Sequence, residues 1–162
     1  GTLLLTISAK VKIPFYPVPM TMQTFVVLFL GLAFGYKIGL SIVGLYLIEG
    51  ILGLPVFSNS PERGVGLIYF TGPTMGYLIG FLFAVFLSGY LDLKKNIFII
   101  FFKLLLSVSV IYILGLIWLG ILIGWDKPIL ELGAIPFLPA ELLKILILTL
   151  LAKKIIRLRS FI

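Results

Sequence analysis

The sequence predicts an all-α, polytopic membrane protein: a bundle of six transmembrane helices forming a single transmembrane domain over residues 1–162. Three observations carry that prediction. The chain is 61% hydrophobic and only 12% charged, with a mean hydropathy of +1.25, far outside the composition of soluble globular domains. Its apolar residues fall in long runs broken by short polar, Pro- or Gly-containing segments, as expected of successive spans of ~20 residues. Its basic residues gather in alternate loops.

The elements follow in order. Residues 2–13 are apolar but too few to cross a bilayer, and the segment opens on Gly1 without a methionine. It is expected to be the end of a first, N-terminally truncated helix, and it lacks the basic lead and cleavage pattern of a signal peptide. The Pro14-Phe-Tyr-Pro-Val-Pro19 turn comes next, because proline donates no backbone N–H and restrains the residue before it. Spans are expected over 20–36 and 38–54, then a polar, Gly-rich loop over 55–71, and further spans over 73–91, 97–124 and 137–152.

Loop charge orients these spans. One side would hold Lys37, Asp92, Lys94, Lys95, Lys153, Lys154, Arg157 and Arg159, a sum of +6. The other would hold Lys10, Lys12, Glu62, Arg63, Asp126, Lys127 and Glu131, a sum of +1. Lys and Arg accumulate on the cytoplasmic side of short loops. The C-terminus is therefore expected in the cytoplasm, with the Pro-rich turn, loop 55–71 and loop 125–136 facing outward. The net charge of +7 is accounted for by topology, and nucleic acid is not expected as a partner.

Composition also limits the chemistry. Cysteine and histidine are both absent, which removes thiolate chemistry, disulfides and the commonest general base and transition-metal ligand. No Gly-x-x-x-x-Gly-Lys-Ser/Thr loop is present to hold a nucleoside triphosphate. Gly31, Gly35 and Gly39, and Gly72, Gly76 and Gly80, recur every four residues, a spacing that lets helices approach closely. Tyr16, Tyr69, Trp118 and Trp125 are expected at the membrane interfaces, and Lys103 is expected to snorkel toward headgroups.

Polar groups converge on the outward side: Gln23, Thr24, Glu49, Asn59, Tyr77, Glu141 and Lys144. Glu141 follows Pro139 in the first turn of the last span, where the helix dipole favours a carboxylate, and Lys144 lies three residues on, on the same face. Ionisable side chains at such depth mark ligand, ion or proton sites. The alternative is an internal ion pair that stabilises the helix start. For Glu49, exposure to water, pairing with Lys10 or Lys12, and ligand contact all remain open.

Four segments, in this order, carry a family resemblance: Pro17-Val-Pro-Met-Thr-Met-Gln-Thr24, Gly53-Leu-Pro-Val-Phe57, Gly72-Pro-Thr-Met-Gly-Tyr-Leu-Ile-Gly-Phe81 and Pro136-Phe-Leu-Pro-Ala-Glu-Leu-Leu-Lys144. Together they resemble the BioY family, the biotin-specific substrate-binding (S) subunits of energy-coupling-factor (ECF) transporters. The resemblance implies a non-enzymatic, high-affinity biotin-binding subunit for vitamin uptake in a prokaryotic plasma membrane. Its implied partners are biotin, a transmembrane coupling subunit, two cytoplasmic ATPases that use the ATP, and membrane lipid; it implies no cofactor. A homo-oligomer remains open. The family's last motif usually reads Gly-Asp-x-x-Lys, whereas this chain has Ala140-Glu141-Leu-Leu-Lys144. The added methylene shifts the carboxylate by more than ~1 Å, enough to alter a pre-organised contact.

The resemblance turns the polar residues into site assignments. Biotin offers two ureido N–H donors, a ureido carbonyl, an apolar thioether ring and a carboxylate. Glu141 is assigned to a ureido N–H and Lys144 to the ureido carbonyl, with Lys144 on the biotin carboxylate as the rival assignment. Asn59 is placed to close the pocket on ring or carboxylate, Tyr77 to supply an apolar wall with a polar tip, and Gln23 to brace the site. Loop 55–71 is the candidate lid. Thiamin or riboflavin as ligand, an intramembrane enzyme using Glu141 and Lys144, and a scaffold stand as the other readings.

Overall fold

The computed structural model describes residues 1–90 and 96–161. Asp92, Lys94, Lys95 and the end of the expected 73–91 span lie outside the described residues. The chain opens on α1 (Thr2–Lys10), which ends where Val11 turns extended at φ −79°, ψ 90°. The expected helix to residue 13 is therefore shorter, because Lys12 and Ile13 form a strand instead. That strand, β1 (Lys12–Ile13), pairs antiparallel with β2 (Met20–Thr21), Lys12 opposite Thr21 and Ile13 opposite Met20. The Pro-rich segment is the loop of this small hairpin.

α2 (Gln23–Ile51) contains both of the next expected spans. Its helical φ/ψ breaks at Gly35, which has φ 78°, ψ 173°, a conformation glycine adopts without the penalty of a Cβ. Were the 29 residues one straight helix, Gln23 and Tyr46 would stand about 34 Å apart at the ordinary helical rise. Instead the Gln23 amide donates to the Tyr46 hydroxyl at 2.8 Å. α2 is thus two antiparallel arms, 23–34 and 36–51, and the turn lies at Gly35 rather than at Lys37.

α3 (Met75–Gly89) follows the two-turn 3₁₀ segment Gly66–Thr71. α4 (Ile97–Ile123) starts with the Asn96 side chain accepting from the Phe98 N–H and stops at Gly124, whose φ is 94°. Loop 125–136 holds α5 (Ile129–Gly133), a short helix that hydropathy did not single out. α6 (Leu138–Arg157) carries Pro in its first turn and runs five residues past the expected end, through Lys153, Lys154 and Arg157. Counting α2 as two arms, the helices α1, α2, α3, α4 and α6 give the six-membered bundle.

α2 packs chiefly on α3, α3 on α4, and α6 closes against α2 and α4. Small residues permit the tight contacts: a Cβ on Gly80 would stand 2.7 Å from the Ile111 Cα, and one on Gly76 would strike α4 at Leu114 and Gly115. Gly31 and Gly39 owe their proximity to the fold-back at Gly35; both face α3 near Val85. The bundle exterior is apolar, with Phe83, Phe98, Phe102, Leu106, Ile113 and Leu150 exposed. That surface suits hydrocarbon: α4 and segment 129–157 are each long and apolar enough to cross a membrane, and α2 is apolar along both of its arms.

The loops sort to two ends. At one end, Lys10 donates to the Phe57 and Ser60 carbonyls, Lys12 to the Ser58 carbonyl and to Asn59 Oδ1, and Tyr77 to the Gly133 carbonyl. These bonds gather the hairpin, loop 52–74 and loop 124–137. At the other end, the Arg159 guanidinium spans the carbonyls of Leu32, Gly31 and Gly89 at 2.8, 2.7 and 3.1 Å, while Tyr36, Phe86 and Tyr90 form a ring cluster. Cationic side chains suit the unpaired carbonyls of helix C-termini. Desolvation there holds the Arg159 pKa below its usual value.

Candidate ligand-binding site

The last span brings the buried charges into place. Glu141 lies in the first turn of α6 and is 4% exposed; Lys144, one turn on, is 6% exposed. Their side chains pair at 2.8 Å, Lys144 Nζ to Glu141 Oε1. Two residues from the hairpin and the start of α2 complete the group. Lys144 also donates to the Thr21 carbonyl at 2.6 Å and to Thr24 Oγ1 at 3.0 Å, and Thr24 Oγ1 donates to Glu141 Oε1 at 2.9 Å. Glu141 Oε2, although buried, has no hydrogen bond in standard geometry among the described residues. The Tyr112 hydroxyl approaches the Glu141 carboxylate from α4 and interacts with it both electrostatically and through a side-chain hydrogen bond.

Glu141 forms part of the wall of an internal cavity at the end where the hairpin and the long loops meet. The first arm of α2 contributes Gln23 and Thr24, α3 contributes Tyr77, Leu78 and Phe81, and α4 contributes Ile111 and Tyr112. Phe137 closes the side below α6, meeting Phe15 edge-on at 5.5 Å. The roof is shared. Val18, Pro19 and Met20 come from the hairpin loop, and Ser58 and Tyr69 from loop 52–74. The enclosed volume is about 50 Å³, room for a few water molecules. Apolar walls with a few convergent polar groups are the ordinary make-up of a small-molecule site.

Bonds between the two roof loops hold it shut. Arg63 of loop 52–74 donates to the Pro17 carbonyl at 2.7 Å and lies over the Tyr16 ring. Behind the roof, Phe57 stacks on Tyr69 at 4.6 Å and meets Tyr46 edge-on at 5.3 Å, and Tyr46 donates to the Val56 carbonyl. The Phe57 ring fills the space where Gly50 lacks a side chain. Tyr69 is therefore interior, 4% exposed, rather than an interface anchor, whereas Tyr16 and Trp125 are 81% and 65% exposed. Trp118 is half-buried and donates to the Gly72 carbonyl at 2.8 Å.

Of the residues singled out in the sequence, Glu141, Gln23 and Tyr77 line the cavity together, and Lys144 stands directly behind Glu141. Gln23 has its amide committed to Tyr46, and Tyr77 its hydroxyl to Gly133. Asn59 is outside the lining: its side-chain oxygen accepts from Lys12 at 2.9 Å. Lys10 and Lys12 bind loop oxygens rather than Glu49. The sequence reading did not select Thr21 or Tyr112. Thr24 was noted on the outward side without a role. A Thr at the start of an apolar helix reads as a cap, and a Tyr inside a span reads as packing. The one available signal was the three-residue spacing of Thr21 and Thr24, which repeats that of Glu141 and Lys144.

Fold and site define a class, a helical membrane protein with a buried ion pair in the wall of a roofed cavity near one end of the bundle. The profile of the BioY family matches residues 1–161, and the chain belongs to that family. A relative from Thermotoga maritima named "Biotin transporter BioY" is 34% identical over 155 residues, covering 95% of this chain and 90% of its own. One from Pyrococcus horikoshii, "Probable biotin transporter BioY", is 32% identical over 152 residues, 94% of this chain and 89% of its own. The crystal structure of the S-component for biotin from an ECF-type ABC transporter aligns with a TM-score of 0.79 at 27% identity, covering 96% of this chain and 86% of that one.

Proposed function

We propose that the chain is a biotin-binding S subunit of an ECF-type transporter, capturing biotin outside the cell and handing it to an ATP-driven coupling module. One observation carries the reading: a buried carboxylate, Glu141, whose Oε2 has no hydrogen bond in standard geometry among the described residues, in the wall of a roofed, largely apolar cavity. The family's relatives named as biotin transporters support it. A neutral ureido ring has the N–H donors such an oxygen requires, and its fused thioether ring suits Leu78, Phe81 and Ile111. Gln23 and Tyr77 serve as walls whose polar ends are already braced, and Asn59 acts through the roof, held by Lys12.

The roof must lift to admit a bicyclic ligand, because the enclosed space is about 50 Å³. The bonds that give way are those between the loops, Arg63 to Pro17 and Lys12 to Ser58 and Asn59. Energy for release comes from partners, a transmembrane coupling subunit and two cytoplasmic ATPases. Loop charge supports a multi-pass topology in a prokaryotic plasma membrane with the C-terminus and Arg159 in the cytoplasm.

Calorimetric titration of the detergent-solubilised chain tests the reading, with thiamin and riboflavin as controls. Nanomolar binding of biotin alone is the expected result; tighter binding of either control, or of none of the three, refutes it. Glu141→Gln should weaken biotin roughly tenfold or more through loss of a charge-assisted bond. Unchanged affinity would remove Glu141 from the site.

A further inference from the structure

The end of the bundle opposite the cavity carries charge that biotin binding does not use. The Arg159 guanidinium donates through Nε to the Leu32 carbonyl and through Nη2 to the carbonyls of Gly31 and Gly89. A guanidinium has five N–H donors, so the two on Nη1 are left without a protein acceptor among the described residues. No carboxylate pairs with Arg159 among those residues either, where the ion pairs are Lys127 with Asp126 and Lys144 with Glu141. The three carbonyls fix where the guanidinium stands but do not cancel its charge.

That charge meets open space. Arg159 and Lys37 line a pocket of about 580 Å³ at the fold-back of α2, with Tyr36 and Tyr90 beside them. The guanidinium lies over the bare face of Gly35, where a Cβ would stand 3.7 Å from Cζ and 4.0 Å from Nη1. Lys37 is exposed and joins no ion pair among the described residues. Tyr36 meets Phe86 and Tyr90 edge-on at 5.6 and 5.7 Å, and Phe86 stacks on Tyr90, so the aromatic wall is one packed unit. Phe83, Phe86 and Tyr90 follow one face of α3 and its cap at helical spacing, and they are 52%, 39% and 67% exposed. The pocket therefore has a cationic floor and a wall that rises straight into the hydrocarbon-facing surface.

The two features together select the occupant. A soluble anion would use the cations and ignore the apolar stripe; an acyl chain alone would do the reverse. A phospholipid with an anionic headgroup uses both, and tyrosines are at home at headgroup level. Loop charge at this end sets seven cations against one acid, Asp92, and basic pockets between helices on the cytoplasmic side suit such headgroups. We propose that Arg159 and Lys37, flanked by Tyr36 and Tyr90, bind the phosphodiester headgroup of an anionic inner-leaflet phospholipid, with a chain of that lipid along Phe86 and Phe83. Nη1 supplies two fixed N–H donors and Lys37 a mobile point charge. The lipid thereby reinforces the tie that Arg159 makes between α2 and α3.

The test uses the full chain in neutral detergent, with phosphatidylglycerol and phosphatidylcholine of identical chains titrated in and the first bound lipid followed by native mass spectrometry. Phosphatidylglycerol should bind about tenfold or more tighter than phosphatidylcholine. Lys37→Gln should weaken it about fivefold, Arg159→Gln at least as much, and the double variant Lys153→Gln with Lys154→Gln less than about twofold. Millimolar inorganic phosphate should leave phosphatidylglycerol bound. Equal binding of the two lipids would overturn the proposal. So would a loss in the double lysine variant as large as in Lys37→Gln, which would mean diffuse attraction to a basic surface. Displacement by phosphate would show a site for soluble anions and overturn the lipid assignment. Lys37 is exposed, so its comparison with the double lysine variant decides even if Arg159→Gln does not fold.

Discussion

Glu141 and Lys144 illustrate why a buried ion pair is poor evidence of stability and good evidence of purpose. Removing two charges from water is expensive, and their mutual attraction repays it only with near-complete hydrogen bonding. Here Lys144 is fully bonded, and Glu141 Oε2 is buried without a hydrogen bond in standard geometry among the described residues. A group optimised for folding alone would not leave that acceptor buried. Lys144→Met should therefore strand the carboxylate and destabilise the protein by about 3–5 kcal/mol, read as a lower midpoint of thermal unfolding in detergent. The double variant Glu141→Leu with Lys144→Met removes both charges and should recover most of that loss while binding no biotin. Equal instability in the single and double variants would show that the pair's role is packing.

Helices α2, α3 and α4 show how small residues position the site. The α2 fold-back places Gln23 and Thr24 beside the cavity and Tyr46 behind it, so site geometry depends on a turn at the opposite end of the arms. Gly35 makes that turn at φ 78°. With ψ at 173° this is a conformation essentially confined to glycine, and an L-residue there pays about 1–3 kcal/mol, so Gly35→Ala should lower the unfolding midpoint by a corresponding amount. Biotin affinity in the folded fraction should stay near wild type, because the turn is far from the ligand. A stability equal to wild type would mean that the arms are not constrained by this turn. The Arg159 bonds to Gly31, Leu32 and Gly89 tie the same end together from the tail of the chain.

The bundle as a unit has two chemically distinct ends, and orientation in the membrane follows from them. The end bearing Gly35, Tyr90 and Arg159 is expected in the cytoplasm, and the roofed cavity outside. The chain has no cysteine, so single replacements report topology without background. Lys127→Cys should react with a membrane-impermeant maleimide on intact cells. Lys37→Cys should react only after permeabilisation. The reverse pattern would invert the topology and place the cavity on the wrong side for uptake.

Much of this was legible before folding. Hydropathy runs gave five spans and the stub of a sixth helix, because hydrocarbon demands apolar residues in blocks of a fixed length. The spacing of Glu141 and Lys144 gave a pair on one helical face, because helical periodicity is local. Four short motifs in order gave the family. Boundaries were less legible where local rules compete. Lys12 and Ile13 follow the apolar run of α1 with no break in the local pattern, yet they join the hairpin because β2 is there to pair with them. The turn at Gly35 and the neighbouring cation Lys37 are two residues apart, and charge points to the wrong one.

The composition and order of the residues alone were sufficient for membrane residence, the helical class, the family and the identity of the buried charged pair, since each rests on burial energies or contacts between residues near in sequence. Only the tertiary structure decided which groups meet that pair. Thr21 and Thr24 reach Lys144 across more than a hundred residues of chain, Tyr112 approaches from α4, and Asn59 is drawn away by Lys12. Hydrogen bonds are short-ranged and directional, so their partners are settled by how helices pack and not by any pattern along the chain.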